Sequence, residues 1–126
     1  MPGPVLVIED EPDIAEVLRY SLQSAGFQTL VARNGEEGLQ TALDPTNRCS
    51  LILLDSYLPG LSGADTHRRL RSEPLTHRTP IIIIGPKGME FDTGTLIRPG
   101  AHDYIVKPFS VRKVVAQVRS LLPGSG

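Results

Sequence analysis

Five short apolar runs, separated by stretches of helical spacing, restrict this chain more than any other feature. They are 5–8, 27–32, 51–54, 81–84 and 103–106. The cleanest of them, Val5-Leu6-Val7-Ile8, Leu51-Ile52-Leu53-Leu54 and Ile81-Ile82-Ile83-Ile84, show no apolar–polar alternation. A strand with one wet face alternates, whereas a strand covered on both faces does not. Covered strands with helices between them predict an α/β protein, a five-stranded parallel sheet doubly wound by helices.

The intervening stretches support that reading. Ile14, Val17, Leu18 and Leu22, with Ala15 and Ala25, form a stripe at helical spacing, Pro12 suits the first turn, and Gly26 stops the helix. Asn34 with Glu37 resembles a capping box before a short helix carrying Leu39, Ala42 and Leu43, which ends before Pro45. Pro59-Gly60-Leu61-Ser62-Gly63 leads into a helix with Ala64 and Leu70, a polar face of His67, Arg68, Arg69 and Arg71, and a stop at Pro74. Ser110 is a good N-cap for a last helix with Val111, Val114, Val115, Val118, Leu121 and Leu122. The segment 85–100 should carry the remaining helix, yet it holds four glycines and two prolines. Gly94 alone costs about 1 kcal/mol against alanine in a helix. A short, frayed or displaced helix is expected there.

The 126 residues suit a single domain over 1–126, with 123–126 as a flexible tail. A net charge of -1 gives no electrostatic reason for direct nucleic-acid or membrane binding. No stretch approaches a membrane span and no signal peptide is visible. The lone Cys49 forms no internal disulfide and is expected half-buried before its strand. These features fit a reducing cytoplasm. The histidines His67, His77 and His102 have no zinc-like spacing with Cys49 and read as ordinary polar residues.

The ends of the runs carry the chemistry. The first ends in Glu9-Asp10, the third in Asp55, the fifth in Lys107-Pro108-Phe109. In a parallel α/β sheet these C-terminal ends share one edge, where ligands bind. Clustered carboxylates repel and raise one another's pKa, and a hard cation with oxygen ligands relieves the cost; Mg²⁺ fits. Asp55 then suits a nucleophile that forms an acyl phosphate, and Lys107 suits pairing with Asp55 or a phosphate oxygen. There is no Gly-x-x-x-x-Gly-Lys-Ser/Thr loop and no Gly-x-Gly-x-x-Gly after the first strand, so the phosphoryl group is expected from a partner or small donor.

The motifs Val5-Leu6-Val7-Ile8-Glu9-Asp10-Glu11-Pro12, Leu53-Leu54-Asp55 with Leu58-Pro59-Gly60-Leu61-Ser62-Gly63, and Gly100-Ala101-His102-Asp103-Tyr104-Ile105-Val106-Lys107-Pro108-Phe109 resemble the response-regulator receiver domain of two-component signalling. The resemblance covers nearly the whole chain. It implies a flavodoxin-like topology. It also implies Asp55 as phosphoacceptor, Glu9 and Asp10 as the acidic pair holding Mg²⁺, and the Tyr57 carbonyl as a further ligand. Lys107 would contact the phosphoryl group, Lys107-Pro108 would be cis, and Tyr104 would be a ring that swings between outward and inward positions. The donor would be a phosphohistidine on a sensor histidine kinase or histidine phosphotransfer protein. The face around the fourth helix, fifth strand and last helix would serve output or a homodimer. Any catalysis would be confined to the domain's own aspartyl phosphorylation and slow dephosphorylation.

One departure stands out. The resemblance implies Ser or Thr at the end of the fourth strand and a backbone N–H after it, but this chain has Gly85 and then Pro86, which lacks an N–H. Two donors to a phosphoryl group are missing there. Lys87 is one expected compensator. The alternative reading is a pseudo-receiver, a protein-binding module that keeps the fold without switching by phosphorylation. Met89, Phe91, Leu96 and Ile97 would then be either partner contacts or the core side of an irregular loop.

Overall fold

A computed structural model describes residues 3–86 and 103–122. The expectations placed on the segment 87–102, including Lys87, Met89, Phe91, Leu96, Ile97 and His102, and on the tail 123–126, lie outside the described residues.

The described elements run β1 (Val5–Ile8), α1 (Pro12–Ser24), β2 (Thr29–Ala32), α2 (Gly35–Ala42), β3 (Leu51–Asp55), α3 (Gly63–Ser72), β4 (Ile81–Pro86), β5 (Asp103–Lys107) and α4 (Val111–Leu121). All pairings are parallel, in the order β2-β1-β3-β4-β5. This is the flavodoxin-like order. The chain reverses winding direction between β1 and β3, which opens a crevice at their C-terminal ends.

Strand parity builds two cores. Val5, Val7, Leu51, Leu53, Ile82, Ile84 and Ile105 face Leu18 and Leu22 of α1 and Val114 and Val118 of α4. Their chain neighbours Leu6, Ile8, Ile52, Leu54, Ile81 and Ile83 face Leu39 and Ala42 of α2 and Leu70 of α3. Side chains alternate between the faces of a strand, so both neighbours must be apolar. That explains the uninterrupted hydrophobic runs.

Helix starts follow the capping residues. Asn34 accepts a hydrogen bond from the Glu37 N–H at 2.8 Å, Ser62 from Asp65 at 3.1 Å and Ser110 from Lys113 at 3.0 Å. Pro12 occupies the first turn of α1, where its missing N–H costs nothing.

Three details differ from the expectations. Strand β2 starts at Thr29 because the N–H of Phe27 is taken by Leu22 O at 3.0 Å, in the turn closing α1. Val17 sits at the edge of the α1 stripe, 48% exposed, while Ala15, Leu18 and Leu22 carry the burial. His67 is buried, at 2% exposure, not on a solvated face. The buried residues of α3 are Gly63, Thr66, His67 and Leu70, a spacing of i, i+3, i+4, i+7 that defines one helix face. Thr66 tolerates burial by donating its hydroxyl to Ser62 O at 2.8 Å.

Candidate functional site

The two-residue period that sorts the core also sorts the residues just beyond it. Glu9 continues the series Val5, Val7; Asp55 continues Leu51, Leu53; Lys107 continues Ile105. All three therefore emerge toward α1 and α4. Ile8 is in register with Leu54, so Glu9 arrives beside Asp55. The Glu9 N–H still bonds Ala32 O at 2.9 Å, which keeps the chain extended past the end of β1.

Asp55 is 2% exposed and both of its oxygens are held. Lys107 Nζ donates to Oδ2 at 3.0 Å, and the Tyr57 N–H donates to Oδ1 at 3.0 Å. Glu9 is also 2% exposed; its Oε2 accepts from the Glu11 N–H at 3.1 Å, and its buried Oε1 has no hydrogen-bond partner among the described residues. One carboxylate oxygen from each of Glu9, Asp10 and Asp55 lies within 4.8 Å of the others. The Tyr57 ring, in contrast, is 80% exposed.

The electrostatics follow from this crowding. Burial first, then the contact with Asp55, push the Glu9 carboxyl up to about 8, against the opposing pull of the Glu11 N–H and Lys107. Partial burial works against the Lys107 ammonium, but Asp55, with Glu9 and Glu11, outweighs it and holds Lys107 above its ordinary value. Three carboxylates face one ammonium. The surplus negative charge and the unpartnered Glu9 oxygen fit a divalent cation with oxygen ligands. The donor set suits Mg²⁺: oxygen atoms only, one of them half-exposed on Asp10 and so open to water.

Gly63 lets this site form. A Cβ there would come within 2.7 Å of Asp55 O, Ser56 Cα and Ser56 O. Only glycine allows the first turn of α3 to press against the backbone that carries Asp55. The peptide bond Lys107-Pro108 is cis.

The other side of the same edge is neutral. The Tyr104 hydroxyl donates to Pro86 O at 2.8 Å. A Cβ on Gly85 would come within 2.5 Å of Ser56 Oγ and would overlap the Tyr104 hydroxyl. Nothing in the sequence marks Ser56 as a site residue. Its relation to Gly85 arises from register: Asp55 pairs with Ile84, and the Ser56 N–H bonds Ile84 O at 2.9 Å. No spacing within the chain reveals that.

Of the histidines, His67 is buried on α3 and His77 is exposed, and Cys49 is half-buried. Among the described residues the acidic trio is the one grouping of potential metal ligands. No helix among them is long and apolar enough to cross a membrane.

Comparison with known proteins gives a consistent result. The family model for the response regulator receiver domain matches residues 5–119. The uncharacterized transcriptional regulatory protein YkoG of Bacillus subtilis is 39% identical over 124 residues, covering 98% of this chain and 53% of that protein. The phosphate regulon transcriptional regulatory protein PhoB of Pseudomonas aeruginosa is 38% identical over 122 residues, covering 97% of this chain and 52% of that protein. The chain thus spans about half the length of the curated relatives it matches. Among solved structures, the receiver domain of the sensor histidine kinase PA1611 from Pseudomonas aeruginosa, with a magnesium ion coordinated in its active-site cleft, superposes with a TM-score of 0.84 at 25% identity, covering 97% of this chain and 98% of that one.

Proposed function

The chain belongs to the response regulator receiver domain family, and from that premise we propose that it accepts a phosphoryl group on Asp55. The observation that carries the reading is the convergence on one buried spot of Glu9, Asp10, Asp55 and Lys107 from the ends of three strands.

In this reading a carboxylate oxygen of Asp55 attacks the phosphorus of a phosphohistidine on a sensor histidine kinase or histidine phosphotransfer protein. The O–P bond forms as the P–N bond breaks, and the imidazole leaves with the electron pair and takes up a proton. Glu9, Asp10, Asp55 and the Tyr57 carbonyl would hold Mg²⁺, which supplies charge neutralisation for the phosphoryl oxygens. Lys107, already 3.0 Å from Asp55 Oδ2, follows the charge from the carboxylate to a phosphoryl oxygen. The Tyr57 N–H on Oδ1 fixes the orientation of the carboxyl group. The phosphorylated domain then acts through an output or partner-binding face. The domain catalyses its own phosphorylation and slow dephosphorylation and nothing further, and it works in the cytoplasm.

A second reading, a pseudo-receiver that binds a partner without phosphorylation, is favoured by Gly85, which has no hydroxyl, and Pro86, which has no N–H. One experiment separates the two. The protein is incubated with Mg²⁺ and acetyl phosphate and followed by intact mass and a tryptic map. The first reading predicts one phosphoryl adduct on Asp55, absent in Asp55→Asn. A folded, Mg²⁺-binding protein that forms no adduct supports the second.

A further inference from the structure

The rim of the acid cluster is unevenly supplied with hydrogen-bond donors. On one side the Lys107 ammonium reaches Asp55. On the β4 side stand Gly85, without a side chain, and Pro86, without an N–H. A phosphoryl group in transfer spreads its charge over three peripheral oxygens, and catalysis consists largely of meeting that charge. The last two residues of β4 therefore offer no side-chain donor, and Pro86 offers no N–H.

Another strand fills the place. Ser56 Oγ lies 2.5 Å from where a Cβ on residue 85 would stand, so the hydroxyl of the residue just after β3 occupies the space that a side chain on β4 would take. The Tyr104 hydroxyl closes in on the same space but is committed, as donor, to Pro86 O at 2.8 Å. Ser56 makes no side-chain hydrogen bond with the described residues. It is half-buried and directly follows Asp55, and its backbone is fixed by the bond from its N–H to Ile84 O at 2.9 Å. A serine side chain has one torsion to set and three staggered positions to choose from. Here one hydroxyl is tied and the other is available.

We propose that Ser56 is the hydroxyl that hydrogen-bonds the phosphoryl group on Asp55, working through the gap that Gly85 leaves, with the Tyr104 hydroxyl walling the far side of that gap. The proposal rests on the phosphoaccepting reading above. It gives Gly85 a positive role: any Cβ at that position would displace Ser56 Oγ, so the glycine that removes one donor admits another. Ser56 would contact the transferred group itself, and its loss should act on anion binding without touching the carboxylates that hold the cation.

The test compares wild type, Ser56→Ala and Asp55→Asn in Mg²⁺ with acetyl phosphate by intact-mass time course, and measures beryllofluoride and Mg²⁺ affinities by amide shifts. The expected result is that Ser56→Ala phosphorylates about 10-fold more slowly and binds beryllofluoride about 10-fold more weakly, the size of one hydrogen bond to a charged group. Its Mg²⁺ affinity should stay at the wild-type value, which also shows that the variant is folded. Wild-type phosphorylation rate and beryllofluoride affinity in Ser56→Ala would overturn this proposal and leave the Asp55 reading standing. A wild-type protein that takes up no phosphoryl group would overturn both.

Discussion

At the C-terminal edge of the sheet, the side toward α1 and α4 is made of charge, and the side toward α2 and α3 is made of hydroxyls, glycine and a neutral histidine. Glu9, Asp55 and Lys107 stand on the first side; Ser56, Gly85, Tyr104 and, farther along α3, His67 stand on the second. The sorting needs no long-range design. Leu53 and Leu54 face opposite cores by the two-residue period of a strand, and the same parity carries over to Asp55 at the end of β3 and to Ser56 on the rim just beyond it. The sides differ in how they meet the cost of burying polar atoms. The neutral side uses backbone acceptors, as in Thr66 to Ser62 O at 2.8 Å and Tyr104 to Pro86 O at 2.8 Å. The charged side leaves Glu9 Oε1 without a partner. On the neutral side the atom left over is His67 Nε2, on an uncharged ring, while the charged side leaves a carboxylate oxygen that calls for an additional positive charge.

The largest expected effect is an opposite response to pH. On the charged side, Glu9 titrates at about 8 in the folded protein, above its ordinary 4.5. The folded state therefore holds a proton the unfolded chain gives up, and stability is lost as pH rises from 4.5 through 8. On the neutral side, burial first, then the charges of Arg71 and Arg68, push His67 down to about 4. The unfolded chain takes up a proton that the folded state refuses, so stability is lost as pH falls from 6.5 toward 4. In Mg²⁺-free denaturant titrations, Glu9→Gln should flatten the alkaline limb and His67→Leu the acid limb, each by roughly 2–4 kcal/mol at the far end of its window. If both variants shifted the same limb, the contrast between the sides would fail.

Next in size is the contrast between two residues of β5. Lys107→Met should slow phosphorylation from acetyl phosphate by about 10–100-fold, the loss of a hydrogen bond to a charged group. Tyr104→Phe removes a neutral bond to Pro86 O and should change the rate by no more than about threefold. Equal losses would place the tyrosine in the charged machinery. The two site glycines sharpen the comparison further. A Cβ on Gly63 meets backbone, while one on Gly85 meets the ends of two side chains that can turn away. Gly63→Ala should therefore cost about 2 kcal/mol in denaturant unfolding, and Gly85→Ala about half of that. The smallest effect is at a cap: Ser62→Ala, which frees the Asp65 N–H, should cost about 1 kcal/mol.

Much of this was legible in the sequence. Strands with no alternation declare two covered faces, and acids at the ends of Val5–Ile8 and Leu51–Leu54 lead to the same edge once the sheet is known to be parallel. Asn34 and Ser110 cap the helices they were expected to cap. His67 was misplaced because α3 offers only Ala64 and Leu70 as apolar markers, and two residues six apart do not define a helix face. The actual face runs through Gly63, Thr66 and His67, whose burial depends on packing beside α2, where a Cβ on Gly35 would strike Thr66. Ser56 was invisible for a different reason. Its significance depends on which residue of β4 lies beside it, and register between strands about thirty residues apart is not written in either strand.

The most direct test of the account is a Mg²⁺ titration followed by amide chemical shifts, run with and without beryllofluoride. The account predicts saturable shifts at a single site, largest at Glu9, Asp10, Asp55 and Tyr57, with beryllofluoride tightening the binding and extending the shifts to Lys107. Shifts that never saturate, or that centre on α2 and α3 and leave Glu9 and Asp55 unmoved, would contradict it.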